Sequence, residues 1–205
     1  MTCSYNSSKQ RAIYDRFAPR FDRFMRPLEE RLLARLRARA IAMLPSNGRV
    51  IEIGAGTGVN FNLYPMSASV IASEPNAEMI RLAQEKRGPK NIQLVRSVAE
   101  DLPFSNGAFD AALATLVFCS VRSPRRAFAE LKRVTKSGGP IVLIEHVRPA
   151  GWLGPLFDLI SLATVLLFDD HFNRRTAREA EKVGLHIERI EPYARGIFQL
   201  IVCRA

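Results

Sequence analysis

The sequence is poor in the residues from which metal sites are made. Its 205 residues include three cysteines and three histidines. Cys3, Cys119 and Cys203 share no CxxC spacing, and no HExxH-type pair occurs. A structural zinc site is therefore not expected, and a reducing, cytosolic setting fits this cysteine usage. The first residues, MTCSYNSSKQR, lack the apolar region of a secretory leader. The longest apolar run, Trp152 to Phe168, contains Pro155 and Asp158. It falls short of the roughly 20 clean residues that a spanning helix needs. It reads as a covered helix or a pocket roof that could also touch a membrane shallowly. Internal repeats and low-complexity tracts are absent as well.

Acids are scarce too. Twenty Asp and Glu face 30 Lys and Arg, for a formal charge of +10. Most of the excess lies in residues 1–49, where eleven basic residues meet four acids. A basic end suggests a polyanionic neighbour, an anionic membrane or a nucleic acid. Apolar content of 47 % is enough for a substantial core in a single domain of this length.

Two parts are expected, a helical lead-in over residues 1–48 and an α/β domain over 49–205. Residues 1–26 read as irregular or partly helical, with a break at Pro19. Pro27 suits the first turn of a helix that runs to Leu44, with Leu28, Leu32, Leu33, Leu36, Ala40, Ile41 and Leu44 on one stripe. Strands and helices then alternate. Strands are expected at 49–54, 69–73, 91–96, 109–116, 140–147, 185–191 and 197–203, and helices at 76–87, 124–135 and 173–183. Nearly continuous apolar strands alternating with helices argue for a parallel sheet covered on both faces. The last two strands are joined by Pro192–Gly196, too short for a crossover helix, so they should pair antiparallel.

The first strand ends in VIEIGAGTGVNFNLYP, with glycines at 54, 56 and 58. A dinucleotide loop wants G-x-G-x-x-G, but Val59 holds the position of its third glycine. Glu52 also stands just before the loop. Both details favour S-adenosylmethionine (SAM), whose amino acid end is a zwitterion whose ammonium an acid near the loop can face through water or a loop amide. Its ribose hydroxyls suit a carboxylate ending the second strand, and Glu74 stands there. Its adenine suits the turn after the third strand, with Val98, Ala99 and Glu100.

These residues together resemble the class I SAM-dependent methyltransferases, from about Tyr14 to the C-terminus. Val50–Gly58 resembles their first motif and Glu74 their ribose acid. Ala99-Glu100-x-Leu102-Pro103-Phe104, Phe109-Asp110-Ala111 and Glu130-x-x-Arg133-Val134 resemble the ubiquinone/menaquinone-biosynthesis branch. The resemblance implies a seven-stranded, mostly parallel Rossmann-like sheet with the last strand antiparallel, and SAM as cofactor. It implies donor-side contacts from Glu52, Gly54, Ala55, Gly56, Gly58, Asn60, Glu74, Pro75, Met79, Val98, Ala99, Glu100, Thr115 and Leu116. One departure stands out: the family often has Asp where this chain has Val98. Glu100 or main-chain groups must then meet the adenine amine.

Gly58-Val59-Asn60-Phe61, Thr115 to Val121, Glu145-His146-Val147 and Leu167-Phe168-Asp169 resemble the membrane-associated alkyl-thiol methyltransferases. More loosely, they resemble bacterial phosphatidylethanolamine N-methyltransferases. Tyr14, Phe17, Phe21 and Phe24 recur at helical spacing among Arg11, Arg16, Arg20, Arg23 and Arg26, as in interfacial helices. The expected reaction is methylation of a lipophilic acceptor at an anionic membrane surface, reached through residues 11–44. Phosphatidylethanolamine is the first candidate, and a small thiol or quinone-like molecule the second. Tyr14, Glu145 and His146 are the catalytic candidates. Phe118, His171, Tyr193 and Arg195 are the acceptor-side candidates. A basic nucleic-acid module on the same fold is the contrasting reading. RNP, KH and zinc-finger patterns are missing, and apolar LVFCSV stands where base methylases carry a polar motif. A monomer on the cytoplasmic face of a membrane, with no nucleic-acid partner, is expected.

Overall fold

The computed structural model describes Arg20 and residues 22–149, 154–155, 157–159, 161–162 and 174–205. Seven strands form one sheet: β1 (Arg49–Ile53), β2 (Ser69–Ser73), β3 (Ile92–Val95), β4 (Ala111–Thr115), β5 (Pro140–His146), β6 (His186–Tyr193) and β7 (Phe198–Arg204). Their order is β3-β2-β1-β4-β5-β7-β6. β1 to β5 pair in parallel. β7 runs antiparallel to both of its neighbours. This is the expected seven-stranded Rossmann-like arrangement.

The strand sequences explain the burial. All five residues of β4, Ala-Ala-Leu-Ala-Thr, are buried, and so are the last six of β5. Strands that are apolar on both faces need a cover on each. On one face lie α1 (Ala34–Ala42) and α2 (Ala77–Lys86). Leu33, Leu36, Ala40, Ile41 and Ala83 pack there on Val50, Leu113, Val142 and Leu200. On the other lie α3 (Pro124–Val134) and α4 (Thr176–Lys182), where Phe128, Leu131 and Ala180 meet Ile53, Ala112 and Leu143. Pro124 sits in the first turn of α3, where a missing N–H costs nothing. Strand order reverses between β1 and β4, so a crevice opens beyond their carboxyl ends.

The N-terminal helix differs from expectation in two ways. Helical backbone is already present at residues 22–28, so Pro27 lies within the helical run rather than at its start. A π-helical turn, Glu29–Leu33, follows it, closed by the Ala34 N–H on the Glu29 carbonyl. The second difference concerns the apolar stripe. Leu33, Leu36, Ala40, Ile41 and Leu44 form it as expected, but it covers the sheet and belongs to the same core as β1. A stripe spent on the sheet cannot also enter a membrane. Of the expected contact segment 11–44, residues 33–44 thus place their apolar side chains in the core.

Candidate active site

The glycine loop leaves β1 through three left-handed residues, Gly54 (φ 61°), Gly56 (φ 56°) and Gly58 (φ 77°). L side chains avoid this region, at a cost of about 1–2 kcal/mol each. The three glycines are not equivalent. A Cβ on Gly54 would lie 2.6 Å from the Val117 side chain, and one on Gly58 would lie 2.7 Å from the Phe61 ring. A Cβ on Gly56 would meet no described residue within 4 Å. Gly54 and Gly58 therefore serve packing, while Gly56 exposes main chain to open space.

Glu74, one residue past β2, holds this loop. Its Oε2 accepts from the Gly56 N–H at 3.0 Å and its Oε1 from the Asn76 N–H at 2.9 Å. The Ala55 N–H reaches back to the Ser73 carbonyl at 3.1 Å. Burial pushes the Glu74 carboxyl up to about 7, against the pull of its two amide donors. Each oxygen retains acceptor capacity after one amide contact. Pro75 follows, its carbonyl taken by Arg96. Asn76 caps α2 by accepting from the buried Met79 N–H at 2.9 Å.

Glu52 lies beneath the loop exit. It is 1 % exposed. Asn60 Nδ2 donates to its Oε1 at 2.7 Å and Tyr64 Oη to its Oε2 at 2.8 Å. Burial raises its pKa, opposed by these two bonds and by the charge of Arg37. Burial, and then the neighbouring Glu52, push the Tyr64 hydroxyl well above its usual range. Through these two bonds Glu52 holds the loop exit from beneath, one protein donor on each oxygen. Asn60 and Thr115, 1 % and 7 % exposed, join this buried network.

The turn after β3 brings Val98, Ala99 and Glu100 to the same edge of the sheet. Val98 is half-buried and bridged to Asp101, and Ala99 is buried. Glu100 Oε1 accepts from the N–H groups of Arg122 and Ser123 at 2.9 and 3.1 Å, ahead of α3. That oxygen is engaged in the fold ahead of α3. Glu130 and Arg133 secure the turn from α3: Glu130 Oε2 accepts from Leu102 N–H, and Arg133 donates to the carbonyls of Leu102 and Phe104.

The acceptor-side residues cluster where β4 and β5 end. Leu116 leaves β4 at φ 59°, its N–H on the Ile144 carbonyl at 2.7 Å. Left-handed residues other than glycine concentrate at functional sites. Glu145 is fully buried, and its Oε1 accepts from the N–H groups of Val117 and Phe118 at 3.0 and 3.2 Å. Burial raises its carboxyl to about 8, opposed by the two amides and by Arg174. Arg174 donates to the carbonyls of Phe118 and Val121 from the other side of the turn. His146 is 7 % exposed beside it. The hairpin between β6 and β7 lies at this edge too, because His146 pairs with Phe198 and Phe198 with Tyr193.

The structure gives two of the acceptor-side candidates partners of their own. Phe118 is fully buried, its ring stacked on Phe128 at 4.0 Å, so it belongs to the core. The Tyr193 hydroxyl donates to Glu191 at 2.8 Å, and Arg39 of α1 binds the same carboxylate. Arg195 is exposed on the hairpin turn in a left-handed conformation. Tyr14 and His171 lie outside the described residues. A shallow depression between Met43, Gly48, Asp110 and Pro140 sits at the amino ends of the strands, on the opposite edge.

Sequence reasoning missed Asp22, Arg37 and Arg174. Asp22 Oδ1 accepts from Thr57 Oγ1 in the glycine loop at 2.6 Å, and Lys86 of α2 contacts both Asp22 and Thr57. Arg37 reaches Asn60 and Thr115 from α1. It stands one turn after Leu33 and one before Ile41, inside the apolar stripe, and that position was a usable signal. Arg174 carries no comparable signal.

The residues fit a SAM molecule. Gly56 presents open main chain, and Glu74 holds a buried carboxylate with acceptor capacity at the strand end where ribose hydroxyls are expected.

Comparison with known proteins agrees. A family model described as "Methyltransferase domain" matches residues 51–143. Thiol S-methyltransferase TMT1B of Rattus norvegicus is 31 % identical over 141 residues, 65 % of this chain and 58 % of that protein. The chain thus covers little more than half of this relative. Phosphatidylethanolamine N-methyltransferase of Cereibacter sphaeroides is 31 % identical over 144 residues, 68 % of this chain and 66 % of that protein. The crystal structure of a SAM-dependent methyltransferase from Thermotoga maritima superposes with a TM-score of 0.72 at 27 % identity, covering 94 % of this chain and 98 % of that one. The first motif, the sheet order and these relatives together make the chain a member of the class I SAM-dependent methyltransferases.

Proposed function

We propose that the chain methylates a lipophilic acceptor at a membrane surface, with the amine of phosphatidylethanolamine as that acceptor. The carrying observation is the grip of Asp22 on Thr57 and Lys86. It joins a basic, aromatic segment to the loop that faces the methyl donor. Arg20, Arg23 and Arg26 are exposed there, and Phe24 is 69 % exposed. Beyond β5, Leu159 and Leu162 add 65 % and 59 % exposed apolar side chains. Interfacial segments combine cationic and apolar side chains in this way. The likeness to the Cereibacter sphaeroides phosphatidylethanolamine enzyme supports the same acceptor. Among the described residues no helix is long and apolar enough to cross a membrane. The reading is therefore peripheral attachment.

When bound, SAM supplies a methyl group on a sulfonium, and its transfer is an in-line displacement that demands alignment and exclusion of water. On this reading Gly56 and Glu74 hold the donor. The turn after β4, pinned by Glu145 and Arg174, shapes the acceptor side. His146 supplies the titratable group where an ammonium must shed a proton before its nitrogen can attack.

The test is transfer of radiolabelled methyl from SAM into chloroform-extractable lipid, using phosphatidylethanolamine vesicles with and without anionic lipid. Label in lipid, raised by anionic lipid and lost on deleting residues 1–26, is the expected result. Absence of label from a protein that still binds S-adenosylhomocysteine overturns the lipid acceptor and moves the reaction to a soluble molecule.

A further inference from the structure

A buried cation in α1 has no part in the lipid contacts just described. Arg37 is 8 % exposed and occupies the apolar stripe between Leu33 and Ile41. Its Nε donates to both oxygens of Glu29 at 3.0 and 3.2 Å. Its Nη1 donates to Asn60 Oδ1 at 3.1 Å and to Thr115 Oγ1 at 2.7 Å. Asn60 then donates to Glu52 under the glycine loop. One guanidinium thus ties together three elements: the N-terminal helix, the exit of the glycine loop and the end of β4. Asn60 stands two residues after Gly58, and Thr115 directly precedes the left-handed Leu116.

Packing alone gives no reason for this residue. An aliphatic side chain would fill the stripe without the desolvation penalty of a buried charge. The guanidinium instead offers several donors in a fixed fork, which lets one side chain hold groups on separate elements in register. The groups it holds flank the donor loop.

We propose that Arg37 is a positioning residue for the methyl-donor site, fixing the glycine-loop exit against the end of β4 so that the loop is preorganised for SAM. The proposal goes beyond the lipid reading and is independent of it, because it concerns the donor and is measured without any acceptor.

The experiment is calorimetric binding of S-adenosylhomocysteine, with thermal unfolding followed on the same samples. The first variant is Arg37→Met with Glu29→Leu, which removes the ion pair together and leaves no unpaired partner of it. It should melt below the parent, because the buried Asn60 Oδ1 loses its donor, yet stay folded and bind S-adenosylhomocysteine about tenfold more weakly, the size of an ordinary coupling between sites. The second is Arg37→Lys, which keeps the charge but cannot span Glu29, Asn60 and Thr115 from one nitrogen. It should also fold and bind about threefold more weakly, a partial rescue. Parent affinity in a folded double variant overturns the proposal. Should the double variant fail to fold, Arg37→Lys decides alone, and parent affinity there overturns it equally.

Discussion

Glu74 and Glu145 invite comparison. Each is a buried carboxylate at the carboxyl end of the sheet, and each accepts two main-chain N–H groups. They differ in how those bonds are shared. Glu74 uses one oxygen per amide, linking its own segment to the glycine loop. Glu145 gives both amides a single oxygen, and its Oε2 has no hydrogen-bond partner among the described residues. The donor half is therefore closed around Glu74 by bonds within residues 55–76, and Asp22 and Arg37 reach it from the N-terminal helix. The acceptor half is closed by long-range contacts, from β5 and from Arg174, onto one turn. Donor binding is set by main-chain geometry, whereas the acceptor side is shaped by what surrounding elements press upon it.

The largest expected effect breaks the donor half. Gly56→Arg fills the open face of the loop and should abolish S-adenosylhomocysteine binding while the protein remains folded. Gly54→Ala meets Val117 instead, at 2.6 Å from its side chain. It should cost about 2 kcal/mol or more of stability, visible as an earlier denaturant midpoint. Equal stability of the two variants would contradict the division between a packing glycine and a ligand-facing one.

On the acceptor half, Glu145→Ala strands the N–H groups of Val117 and Phe118 and should cost about 2–4 kcal/mol. Glu145→Gln keeps an acceptor for both and should lose less than about 1 kcal/mol. Chemical denaturation of both variants checks this.

A smaller effect concerns pH. Glu74 and Glu145 are raised from the ordinary 4.5 to about 7 and about 8. Between the unfolded and folded values the folded protein binds protons that the unfolded chain has released. These groups therefore subtract stability as pH rises from about 4.5 to about 8, and the loss is complete above that. Asp110 and Glu130 are lowered and act in the opposite sense, at pH below the ordinary carboxylate range. The melting temperature should be lower at pH 8.5 than at pH 6, and Glu145→Gln should flatten the difference. A flat parent profile would count against both buried carboxyls.

The smallest effect lies outside the site. Arg20→Ala and Arg23→Ala should each weaken binding to anionic vesicles by up to about fivefold, less at high salt. Vesicle sedimentation at two ionic strengths reads this directly.

How much of this was legible in the sequence depends on how far apart in the chain the contacting residues lie. Left-handed backbone demands glycine, so the loop left a visible trace at Gly54, Gly56 and Gly58, and Glu74 was found by its place at a strand end. Continuous apolar strands and the short Pro192–Gly196 link revealed the sheet and its antiparallel end. Contacts that join residues far apart in the chain left weaker traces in both halves, as with Arg37 and Thr115. Arg174 meets Phe118 and Val121 across more than fifty positions. Glu52 was visible as an acid near the loop, but its burial under Asn60 and Tyr64 depends on how the loop folds back. Phe118 was legible as apolar, not as the partner of Phe128.

The most direct test of the account is calorimetric titration of S-adenosylhomocysteine into the parent, Glu74→Ala and Glu145→Ala. The account predicts binding to the parent, a loss of about a hundredfold or more in Glu74→Ala, and near-parent affinity in folded Glu145→Ala. Parent affinity in Glu74→Ala, or an equal loss in both variants, would contradict it.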